Sequence, residues 1–100
     1  MEVGKAIVAI RTKLNMKATE LANKIGISKT ALSQIETGKA RPNAATLEKI
    51  AEAFGTDVSF IYLAAIDPDK DISQEKRKLF NELFPDFHAT MLSFIDKDQQ

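Results

Sequence analysis

The chain has no cysteine and a single histidine, His88. Without cysteine there is no disulfide framework, no thiolate metal site and no thiol nucleophile. One histidine excludes any site that needs two. An excess of charge is also missing: 14 Lys+Arg offset 14 Asp+Glu, a formal net charge of zero, which for a uniform chain argues against a nucleic-acid or anionic-membrane partner. Long apolar runs are absent. The longest, residues 60–66, falls far short of a membrane span, and the run at residues 6–10 is too short, and wrongly flanked by Glu2 and Arg11, for a signal peptide. These absences lead us to expect a soluble cytoplasmic protein with no membrane association, no metal, no cofactor and no catalytic activity.

What is present is one domain's worth of chain, 100 residues with 44% apolar content, enough for a compact core. Ala6, Ile7, Ile10 and Leu14 recur at helical spacing. A second helix is expected over residues 17–24 with Leu21, Ala22 and Ile25 inward, stopped by Gly26. Ser28 caps a third over 29–36 with an inward Ala31, Leu32 and Ile35 stripe, ended by Gly38. Pro42 and Asn43 open a fourth, carrying Leu47, Ile50, Ala51 and Phe54 to a stop at Gly55. Ser59 caps a short fifth over 60–66. No segment alternates with period two for long enough to argue a strand, so the class is all-α.

Residues 67–71 read as a polar break. Beyond it Ser73 starts a helix bearing Leu79, Phe80, Leu83 and Phe84, Pro85 forces a bend, and a last helix buries Phe87, Met91, Phe94 and Ile95. The organisation expected is a domain over 1–66 and a helical C-terminal extension over 67–100.

Residues 18–36 form a helix, a short glycine-containing turn and a second helix, the helix-turn-helix arrangement. Ala22 is small enough for the two helices to approach, while Leu21, Ile25, Ile27, Leu32 and Ile35 fill the space between them. On the other side of the second helix lie Ser33 and Thr37, flanked by Lys29, Thr30 and Gln34, with no carboxylate among them. Such side chains suit base edges in a major groove. An ordinary solvated helix face has the same look.

The ordered series Ile10-Arg11, Glu20-Leu21-Ala22, Gly26-Ile27-Ser28, residues 32–36, Gly38-Lys39, Arg41-Pro42, Thr46-Leu47, residues 49–51 and Phe54-Gly55 resembles the Cro/lambda-repressor-like (Xre-type) helix-turn-helix regulators. The resemblance covers roughly residues 5–66. It implies a five-helix DNA-binding domain in which Lys29 and Thr30 read bases, with Ser33 and Gln34 reading or supporting further along. It also implies a phosphate clamp at Thr37, Gly38, Lys39 and Arg41, and an ion pair between Arg11 and Glu36 that holds the fold. At the start of the second helix the family's Ser/Thr cap and glutamine are replaced by Lys17 and Ala18, so Lys17 and the helix amides are left as the phosphate anchor. The exposed side of that helix carries little acidity, which leans toward repression.

Two weaker patterns carry no function. Asp67, Asp69 and Asp71 alternate like the start of a calcium loop, but Ile72 and Lys78 stand where the turn glycine and the bidentate glutamate belong. His88 beside Asp86 lacks companions for acid-base chemistry and reads as a surface or interface histidine. The stripe of Phe80, Phe84, Phe87, Met91, Phe94 and Ile95 has two readings: folding back on the domain, or, as we prefer, a two-fold homodimer contact on a palindromic operator. An antitoxin or other module that binds a protein partner is the competing function. Charge also divides along the chain: residues 1–55 hold nine Lys/Arg against five Glu, net +4, and residues 56–100 are −4. A basic reading half and an acidic tail lie behind the neutral sum.

Overall fold

The computed structural model describes residues 2–95, which form an all-helical fold. Its helices are α1 (Val3–Lys13), α2 (Ala18–Ile25), α3 (Lys29–Glu36), α4 (Ala44–Ala53), α5 (Val58–Ala64), α6 (Pro68–Asp71), α7 (Gln74–Leu83) and α8 (Phe87–Ser93). The first five surround one core. Within it α1 packs on α3 and α5, while α2 packs on α3 and α4. Ile7, Ile10, Leu21, Leu32, Ile50, Phe54 and Ile61 are fully buried there. Burying each such side chain is worth about 1.5–3 kcal/mol relative to water.

Local chemistry sets the helix ends. Ser28 accepts from the Ala31 N–H at 3.0 Å and Asn43 from the Thr46 N–H at 2.8 Å, each satisfying an amide that has no intrahelical partner. Gly26, at φ 76°, takes the left-handed conformation that ends α2 and turns the chain toward α3.

Two expectations are corrected. The fifth helix starts at Val58, and its cap is Asp57 rather than Ser59. The Asp57 carboxylate accepts from the Phe60 N–H and also from the Ser59 hydroxyl, and those bonds hold its pKa below the ordinary aspartate value. The polar break at residues 67–71 contains a helix. Asp67 caps it through the Asp69 N–H, and Asp71 accepts from the Asp67 N–H, so these acids are engaged in local backbone bonds. Arg77 then donates to the carbonyls of Pro68, Asp69 and Ile72, fastening α6 to α7.

The last two helices behave differently. α8 packs against α5 and α1, with Ile95 inside the core and Leu92 against it. His88 Nε2 lies 2.8 Å from the Ile66 carbonyl oxygen. α7 has no buried residue. The rings of Phe80 on α7 and Phe84 just after it gather with Phe87 at centroid distances of 5.1–5.9 Å, leaving Leu79 and Leu83 exposed.

Candidate functional site

On α3, Leu32 and Ile35 point into the core, Ala31 is half-buried, and Lys29, Thr30, Ser33 and Gln34 are all exposed. Buried apolar residues fix which way this helix faces, so its four polar residues share the outer side. They offer an ammonium, two hydroxyls and a carboxamide. That set can donate and accept hydrogen bonds at base edges, and it carries no anion to repel phosphates.

The segment after α3 completes the site. Gly38, at φ 83°, donates its N–H to the Ile35 carbonyl, and Ala40 donates to Gln34, which folds the chain back across the helix end. Lys39 and Arg41 are exposed beyond that turn. Thr37 differs from expectation in one respect. Its hydroxyl donates to the Ser33 carbonyl oxygen at 2.9 Å, so its proton is engaged at the end of α3. Lys17 is exposed at the start of α2, where no side chain caps the helix. The first-turn amides of α2 therefore have no side-chain acceptor, the state in which a helix start can meet an anion.

Arg11 holds the two halves of this surface together. Its guanidinium reaches both Glu36 carboxylate oxygens, at 2.8 and 3.2 Å, and donates a third bond to the Met16 carbonyl at 3.0 Å. Glu36 ends α3, and Met16 lies two residues before α2. One side chain of α1 thus links the segment leading into α2 to the end of α3. Gly4 escaped sequence reasoning. It lies against the last carbonyls of α3, a tertiary contact that leaves no trace in periodicity.

Of the six residues placed in the apolar tail stripe, the structure separates the surroundings. Ile95 is in the domain core, Phe87 is buried within the aromatic cluster, Phe80 and Met91 are half-buried, and Phe84 and Phe94 are exposed, so the expected burial of Phe94 is corrected. Among the described residues no helix is long and apolar enough to cross a membrane.

A family model described as Helix-turn-helix matches residues 7–61. The chain is 32% identical over 98 residues to the immunity repressor protein of Bacillus phage phi105, covering 98% of this chain and 65% of that protein. It is 33% identical over 102 residues to the HTH-type transcriptional activator BcrR of Enterococcus faecalis, covering 95% of this chain and 48% of the activator. Multiprotein-bridging factor 1 of Candida glabrata is 40% identical over 53 residues, which span 53% of this chain and 35% of that factor. The chain therefore spans less than two thirds of the length of each of these relatives. No solved structure matches it.

Proposed function

Because the chain belongs to the helix-turn-helix family, we propose that it is a sequence-specific DNA-binding transcriptional regulator, a repressor that binds a palindromic operator as a homodimer. The observation that carries this reading is the exposed, carboxylate-free row of Lys29, Thr30, Ser33 and Gln34 on a helix oriented by its buried side. In this role α3 lies in the major groove. Lys29 and Thr30 read bases, and Lys39, Arg41, Lys17 and the amides at the start of α2 hold the flanking phosphates. The name of the phage relative favours repression, while BcrR is named as an activator.

Selection of bound sequences from a random DNA pool tests the function directly. An enriched palindrome with half-sites about one helical turn, or a multiple, apart is expected, and a pool that shows no enrichment would remove the proposal. With the selected site in hand, Lys39→Ala and Arg41→Ala should each weaken binding to all sequences and lower the salt slope by about one. Lys29→Ala and Thr30→Ala should instead relax base preference. Indistinguishable effects of the two pairs on selected and random DNA would contradict these roles.

A second reading is favoured by the exposed apolar side of α7: a module that binds a protein partner, as in an antitoxin. On that reading the isolated chain sediments as a monomer, and a stoichiometric partner accompanies it when it is purified from its source.

A further inference from the structure

The start of α1 rests on the end of α3 with no side chain between the two backbones. A Cβ built on Gly4 would lie against the Ile35 carbonyl oxygen, 2.7 Å from the Glu36 carbonyl oxygen and 3.0 Å from its carbon. All three are main-chain atoms, so none can rotate aside. Something longer than a side chain has to move.

The segment on the far side of the contact is the one that carries the clamp. The Ile35 oxygen already accepts from Gly38, and the Gln34 oxygen from Ala40, and these two bonds shape the turn into Lys39 and Arg41. Beyond the Gly4 contact the first turn of α1 and this loop separate, leaving a groove of about 760 Å³ lined by Val3, Gly4, Gly38, Arg41, Pro42 and Tyr62 among others. The loop has space to shift once the contact is forced open. The Glu36 side chain is held by Arg11.

We propose that Gly4 is a positioning residue for DNA binding: by admitting the α3 carbonyls against its own Cα, it sets the seat of the last turn of α3 and so places Lys39 and Arg41 on the phosphates. The inference rests on the DNA-binding reading above. It also opposes simple helix propensity. Alanine is a better helix former than glycine, so propensity alone predicts that Gly4→Ala is stabilising and leaves DNA binding untouched.

The test uses the full chain, the selected DNA site and a temperature at which circular dichroism shows each variant folded. Gly4→Ala should bind about tenfold more weakly, with the salt slope reduced by about one to two units as the two cations lose their phosphates. The Gly38 and Ala40 amides should exchange faster, while the Thr46 and Phe54 amides stay at the wild-type rate. A control, Phe54→Leu, loosens the core away from this contact and should keep both the wild-type slope and the slow exchange at Gly38 and Ala40. A folded Gly4→Ala protein with wild-type slope and exchange would overturn the proposal. Should Gly4→Ala fail to fold, deletion of residues 2–4 removes the contact without inserting an atom. The same loosening at Gly38 and Ala40 is then expected, and wild-type slope and exchange would again overturn it. If the wild-type chain shows no preference for any DNA, the functional reading fails by itself, and the exchange rates still decide whether Gly4 seats the helix end.

Discussion

Replacing Arg11 by methionine is expected to lower the melting temperature by about 15 °C, corresponding to roughly 3 kcal/mol in a domain of this size. Arg11 and Glu36 are 17% and 10% exposed at their side chains, so the pair is largely but not wholly withdrawn from water. Methionine preserves much of the apolar stem and removes three hydrogen bonds together. It leaves the Glu36 carboxylate covered without its cation and the Met16 carbonyl without its donor. Residual access to water keeps the cost near the lower end of the range for breaking a buried pair, about 3–5 kcal/mol. Thermal denaturation followed by circular dichroism measures it, and a decrease of less than about 4 °C would show that the pair does not hold the fold. The double variant Arg11→Met with Glu36→Met should recover much of the loss, because no carboxylate is then left covered without its cation and only the Met16 carbonyl still lacks its donor.

The second large effect is expected from the outer face of α7. Leu79 and Leu83 are 58% and 64% exposed, and Phe84 and Phe94 lie uncovered nearby in the chain at 41% and 68%. If the proposed homodimer forms through this face instead of a foreign partner docking on it, these side chains meet their counterparts across the two-fold axis. The Leu79→Lys/Leu83→Lys variant should then sediment as a monomer at micromolar concentration and bind the selected palindrome about a hundredfold more weakly, since the two half-sites are no longer engaged as a linked pair. Its affinity for a single half-site should be unchanged. A wild-type chain that is monomeric at tens of micromolar, or a variant that remains a dimer, would exclude this interface. Deleting residues 73–100 is a blunter experiment, because it also removes Ile95 from the domain core, Leu92 from against it and His88 from the Ile66 carbonyl.

The contrast between those two experiments marks where the sequence was readable. The third helix was legible to the residue: Ser28 as cap, Gly38 beyond the end, and Leu32 and Ile35 as the buried side all follow from short-range rules, and α3 spans Lys29–Glu36. Short-range rules fail where two residues compete for one role. Asp57 and Ser59 both qualify as caps, and Asp57 prevails because its carboxylate also binds the Ser59 hydroxyl. They fail again where the partner is distant. The helix at Pro68–Asp71 is fastened by Arg77, which in the sequence is one of three adjacent basic residues with nothing to distinguish it. The tail stripe looked continuous because periodicity records which residues share a face and not what that face meets. In the fold, α8 turns Ile95 into the core while α7 leaves its leucines in water.

The Arg11 clasp also bears on how such a chain can change. Its three bonds end at Met16 and Glu36, so one guanidinium closes both ends of the stretch that contains α2, the turn and α3. Residues 17–35 are thereby framed as a cassette. The outward positions 29, 30, 33 and 34 can be exchanged without disturbing either fastening point, provided Leu21, Leu32 and Ile35 continue to fill the interior. On the proposed DNA-binding reading, a new DNA preference would require changes at a handful of surface positions and no redesign of the scaffold, which is how one fold can host many specificities.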